Sequence, residues 1–171
     1  NLSYETLDGL IKHNGPVINL IKYNKILGKN FFKKKINFTT NSSMEAQIAS
    51  ISDDIAYNNH DLEDGLKANL FKLNDLKNIP ILNKIISKHN KKLKKNSIDL
   101  VVRQIVRETI NAMVVDVIKN TKKNLQLYKI KNLQDVYKTK NQIVSFSDKM
   151  KDFDLKIKNF LKEKMYFHDR V

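Results

Sequence analysis

Apolar residues return mostly every third or fourth position along the chain, and glycine and proline, which interrupt helices, number only 4 and 2. That pattern predicts an all-α protein. A first helix is expected from about Tyr4 to His13, with Leu7, Leu10 and Ile11 on one face, stopped by Asn14, Gly15 and Pro16. Val17 to Ile26 then forms an apolar patch, and residues 28 to 41, with Gly28 and the basic run Lys33, Lys34 and Lys35, read as a loop. The clearest element should run from about Ser43 to Phe71. Ser42 followed by Glu45 suits a capping box, and Met44, Ile48, Ile51, Ile55, Leu62 and Leu66 mark one apolar stripe to anchor the helix. A short helix rich in Ile and Leu follows Pro80, and then comes the lysine-dense segment His89 to Lys95. A long helix from Ser97 to about Leu127 carries adjacent apolar residues that suit burial on two sides. The last, from about Ser147 to Tyr166, spaces Met150, Phe153, Ile157, Phe160 and Leu161 by three and four. There is no internal repeat and no low-complexity linker.

A length of 171 residues with a hydrophobic fraction of 41% suits one domain with a core. No apolar run approaches the roughly 20 residues that cross a bilayer, and the start lacks a signal-peptide pattern, so the chain reads as soluble and cytoplasmic with no membrane partner. Cysteine is absent, which excludes disulfides, thiolate metal sites and cysteine nucleophiles. Any metal would need His and carboxylate ligands. The net charge of +14 invites a nucleic-acid reading, but it is built from 29 Lys and only 3 Arg, alongside 21 Asn and 19 Ile. That set also fits A- and T-rich codons, and direct base readout favours Arg. Non-specific binding to a phosphate backbone stays open.

The charge is unevenly placed. From Ile36 to Leu66 there is no Lys or Arg, while Glu45, Asp53, Asp54, Asp61, Glu63 and Asp64 contribute six negative charges. Within this island Asp53, Tyr57 and Asp61 stand four residues apart, and each step overshoots a helical turn by only about 40°, so the three share one stripe. Two carboxylates and a phenol so aligned could hold a hard cation and hydrogen-bond a polar ligand, or they could be a solvated acidic face.

The stretch Glu45-Ala-Gln-Ile-Ala-Ser-Ile-Ser-Asp-Asp-Ile-Ala-Tyr-Asn-Asn-His-Asp-Leu-Glu-Asp-Gly-Leu66 is similar to the signature helix of the deoxyguanosine triphosphate triphosphohydrolase-like family, in the HD-domain superfamily. The opening Leu2-Ser-Tyr-Glu-Thr-Leu-Asp-Gly-Leu-Ile-Lys-His-Asn-Gly-Pro16 resembles a second block of that family. Val144-Ser-Phe-Ser-Asp-Lys-Met150 followed by Met165-Tyr-Phe-His-Asp-Arg-Val171 resembles its closing block. The resemblance implies an all-α HD-domain fragment whose amino-terminal part is missing. It places residues 1–75 in the back of the HD core and 76–171 in a carboxy-terminal helical region, within a single helical unit.

It further implies hydrolysis of a deoxynucleoside triphosphate to deoxynucleoside and triphosphate, with a divalent metal, Mg or Mn, as cofactor. Asp53 matches the last metal ligand of the family. Tyr57 and Asp61 match positions that touch the deoxyribose, and Lys12 stands where a lysine could meet phosphate. The remaining metal ligands, a histidine and a His-Asp doublet, belong to blocks that would precede Asn1; His60-Asp61 and His168-Asp169 are not in the doublet's context, and His13 and His89 have no metal-site spacing. The start at Asn1 rather than methionine suits a fragment, a processed product or a trimmed chain; because those metal ligands are missing, catalysis by this chain alone is not expected. The implied partners are the missing amino-terminal HD half, from the same gene or the other half of a split gene, the nucleotide itself, and further copies of the chain in a homo-oligomer. The alternative is a non-enzymatic basic helical remnant, or a module that binds nucleic acid or a protein partner.

Overall fold

The computed structural model describes residues 2–17, 37–93 and 97–167, the side chains of residues 90–93 apart. Most of the apolar patch from Val17 to Ile26, the basic run at 33–35, and His168-Asp169 lie outside the described residues. Six α-helices occur among the described residues, without strands. They are α1 (Tyr4–Ile11), α2 (Met44–Lys67), α3 (Pro80–Leu93), α4 (Ile98–Leu127), α5 (Leu133–Lys138) and α6 (Asp148–Leu161). A 3-10 turn, Asp75–Asn78, precedes α3, and a π-turn, Lys162–Tyr166, follows α6. No described helix is long and apolar enough to cross a membrane.

Local chemistry accounts for the element ends. Ser3 opens α1 by accepting the Thr6 amide at 3.2 Å. Ser43, rather than the expected Ser42, caps α2, accepting from the Ala46 amide at 3.3 Å, because Ser42 is buried and its carbonyl takes the Gln47 side chain. The expected end of α2 at Phe71 is four residues late. Asn69 adopts the left-handed region at φ 57°, and the Leu70 amide turns back to the Gly65 carbonyl at 3.0 Å. Lys129 does the same beyond α4, at φ 53°. The short α5, which the periodicity does not reveal, is held by a capping box between Asn132 and Asp135.

Two compact units divide the chain. The first comprises Asn1–Ser52 and Lys119–Ser145, and so takes α1, α5, the start of α2 and the end of α4. Its apolar core is small, with Val17, Val136, Ile143 and Val144 as its buried hydrophobic residues among those described. Side-chain amides bonded to backbone supply much of the rest. Gln47 Oε1 accepts from the amides of Ile143 and Val144 at 2.9 and 3.0 Å while its Nε2 donates to Ser42 O at 2.9 Å. Asn41 Nδ2 donates to the carbonyls of Thr139 and Asn141, and Asn120 and Asn124 donate to those of Ser145 and Ile143.

The second unit, Asp53–Ile118 with Phe146–Val171, holds a true apolar core. Ile55 and Leu62 of α2, Leu82, Ile85 and Ile86 of α3, Val101, Val102, Ile105 and Met113 of α4, and Met150, Phe153, Ile157 and Leu161 of α6 are all buried in it. Phe71 meets Phe160 edge-on, with centroids 4.8 Å apart and an interplanar angle of 84°. That ring requires glycine at 65, where an added Cβ would stand 2.3 Å from Phe71 Cε1. Ser147 ties α6 to α4, since its amide and hydroxyl both donate to Asp116, at 2.8 and 2.7 Å, while its oxygen caps α6.

The expected stripe on α2 is only partly its buried face. Ile55 and Leu62 are buried, but Ile48 is 48% exposed and Met44, Ile51 and Leu66 are half-buried. Gln47, Asn58, Asn59 and Gly65 occupy the face instead. A hydropathy count cannot find the two amides whose hydrogen bonds to other segments hold them inside, Gln47 and Asn58. Gln47→Leu keeps the volume and strands two backbone donors. It should lower stability by about 2 to 4 kcal/mol, read as an earlier urea midpoint at unchanged slope. A midpoint equal to that of the parent would show that these bonds carry no weight.

Candidate functional site

The aligned stripe lies on the part of α2 that belongs to the second unit. Its buried neighbours Ile55, Asn58, Leu62 and Gly65 define the inner face, and successive steps of four from Asp53 wind by about 40° each toward it. Exposure follows that winding. Asp53 is exposed, Tyr57 is 59% exposed, and Asp61 is half-buried. The three side chains thus run along one flank of the helix, from open surface toward the packed side.

Asp61 is the most constrained of the three. Its Oδ2 accepts a short hydrogen bond from the phenol of Tyr166, which arrives from the π-turn 105 residues later. Burial, then the bond to Asp61, then the neighbouring Tyr57 and the Asp61 charge hold the Tyr166 phenol well above the ordinary tyrosine range. Tyr166 sits in the closing block quoted from the sequence, yet nothing in its spacing links it to Asp61, because the link exists only once α6 and the π-turn have folded back.

The neighbouring Asp54 belongs to a different network. Asn58 Nδ2 donates to Asp154 Oδ1 at 2.8 Å, and Lys158 reaches Asp154 at 2.9 Å and Asp54 at 3.3 Å. Burial pulls the Lys158 ammonium down, but the bonds and charges of Asp154 and Asp54 outweigh it and the net shift is upward. Among the described residues no three His, Asp or Glu side chains gather closely enough to hold a metal ion. The described residues therefore do not by themselves fit a cation that takes about six oxygens.

Lys12, in the first unit, is buried on the floor of a cleft of about 710 Å³. Asp8 binds its Nζ at 2.5 Å, Thr40 Oγ1 at 3.1 Å and the Asn41 carbonyl at 3.5 Å, so three acceptors meet its three protons. Tyr137 lies 6.0 Å from the ammonium, and Lys138 and Lys140 stand on the rim. Of the histidines, His60 is exposed, while His89 is buried and its Nε2 lies 2.7 Å from Glu108 Oε1. His89 and Glu108 join α3 to α4, a structural pairing.

No family model matches the chain. Its whole length is 48% identical, over 171 residues, to a deoxyguanosinetriphosphate triphosphohydrolase-like protein of Pelagibacter ubique. Proteins of the same name from Bartonella tribocorum and Caulobacter vibrioides are 34% and 38% identical over 175 and 173 aligned residues, again across the full chain. The chain spans 46% of the first relative's length and 44% of the other two.

The bond at Asp61 has a titration consequence. A tyrosine whose folded pKa is raised contributes stability that is fully present below its ordinary pKa near 10.0 and is lost as pH rises above it. Among the six tyrosines Tyr166 should ionise late. Spectrophotometric titration of Tyr166→Phe should therefore lose phenolate absorbance from the high-pH end of the curve. Loss from the ordinary region near the model-peptide value would contradict the bond.

Proposed function

Since the chain belongs to the family of deoxyguanosinetriphosphate triphosphohydrolase-like proteins, we propose that it supplies one wall of a metal-dependent site that splits a deoxynucleoside triphosphate into deoxynucleoside and inorganic triphosphate. The observation that carries this reading is the graded flank of α2. Asp53, the outermost group, is exposed at the surface end of the flank, and Asp61, further in, is a carboxylate already oriented by a donor. In this reading Asp53 is a metal ligand, and Asp61 with Tyr57 receives the deoxyribose, the carboxylate accepting from the 3'-hydroxyl.

The metal, Mg or Mn, supplies Lewis acidity and a low-pKa water when bound. Its other ligands come from an amino-terminal HD half, in keeping with the 44 to 46% of the relatives' length that this chain spans. We assign the assembled protein to the cytoplasm. Lys12, which lies in the first unit, is a phosphate contact in this reading only if it exchanges one of its present acceptors, and the Asn41 carbonyl, at 3.5 Å, is the most weakly held of the three.

The test is triphosphate release with Mg or Mn. The 171-residue chain alone should show none, and the protein completed by the amino-terminal half should turn over. In the completed protein Asp53→Ala should abolish hydrolysis. Asp61→Ala and Tyr57→Phe should act mainly through KM, with losses of about 1 to 3 kcal/mol in kcat/KM. Full activity in Asp53→Ala would remove the metal-ligand role and leave the stripe a solvated acidic face.

A further inference from the structure

We infer that Tyr166 is a positioning residue for the sugar-binding carboxylate of Asp61, so that the closing segment of the chain helps set recognition of the nucleotide's 3'-hydroxyl. The inference deepens the proposed function and rests on its reading of Asp61. A carboxylate has two oxygens, and a free one on a helix surface rotates between several orientations. Here Oδ2 is bound by the Tyr166 phenol, which leaves Oδ1 as the oxygen to accept a hydroxyl. Freezing that rotation before substrate arrives removes an ordering cost from binding.

The π-turn that carries Tyr166 is a break in α-helical geometry immediately after Leu161, the last fully buried residue of α6. Such wide turns redirect side chains that a continued α-helix would aim elsewhere. Tyr166 is 40% exposed, so its packing contribution is limited, and its hydroxyl donates to Asp61, the carboxylate read as accepting from the sugar. Phe at this position keeps the ring and removes only that bond.

The experiment compares a deoxynucleoside triphosphate that the completed enzyme turns over with its 2',3'-dideoxy counterpart, which lacks the hydroxyl Asp61 would accept. Tyr166→Phe should raise KM for the deoxynucleotide about 3- to 10-fold with kcat nearly unchanged, and leave the dideoxynucleotide unaffected. In an Asp61→Asn background the same change should have no further effect. Equal losses on both nucleotides would mark Tyr166 as merely structural and overturn the inference, as would a Tyr166→Phe protein that fails to fold, since a positioning bond on a half-exposed ring is not needed for folding. If Asp61→Asn discriminates the two nucleotides and Tyr166→Phe does not, the inference alone fails. If Asp61→Asn does not discriminate them either, the reading of Asp61 as sugar acceptor fails, and the inference with it.

Discussion

A buried amide must find hydrogen-bond partners or cost several kcal/mol, and α2 buries Gln47, Asn58 and Asn59. Their partners fix what can pack around the helix. Gln47 fastens the Ile143–Val144 backbone in the first unit. Asn58 draws in Asp154 of α6, and Asn59 donates to Ile55 O at 2.8 Å and Met113 Sδ of α4 at 3.3 Å in the second. In the second unit the inner face of α2 is pinned by the bond from Asn58 to Asp154 as well as by Ile55 and Leu62, so the rotation of this part of the helix about its axis is set. That rotation decides the outward presentation of Asp53 and Tyr57. The site geometry is in this sense a consequence of the polar core.

The helical class and the starts of the five expected helices, each within one residue, were legible in the sequence, because α1, α3 and α6 are strongly amphipathic and Ser147 and Pro80 are clear openings. Helix ends were less so. Asn69 and Lys129 terminate their helices by taking left-handed backbone, a choice any polar residue could make and that no period announces. The inner face of α2 was misread for a related reason, since Ile48 is apolar and outside while Gln47 is polar and inside. Which neighbour is buried was settled by the two backbone amides near Ile143, about 96 residues away in sequence.

The stripe of Asp53, Tyr57 and Asp61 was visible from spacing alone, and its shared flank follows from helical geometry. What spacing could not supply was the partner of each group. Asp54, one residue from Asp53, is paired with Lys158, and Asp61 is bonded to Tyr166, both through α6 and its π-turn. Lys12 illustrates the opposite limit. A lysine in a net basic chain suggests a free cation for phosphate, whereas here its protons are met by Asp8, Thr40 and the Asn41 carbonyl.

The proposed function needs Asp53 to be one ligand of a metal site whose other ligands come from an amino-terminal half. Titration of Mn(II) followed by electron spin resonance addresses it directly, because bound Mn(II) loses the sharp signal of the free ion. The chain with its amino-terminal HD half should take up Mn(II) stoichiometrically and Asp53→Ala should weaken that uptake by at least about 10-fold, as loss of an inner ligand does. Undiminished Mn(II) binding in the Asp53→Ala assembly would contradict the account.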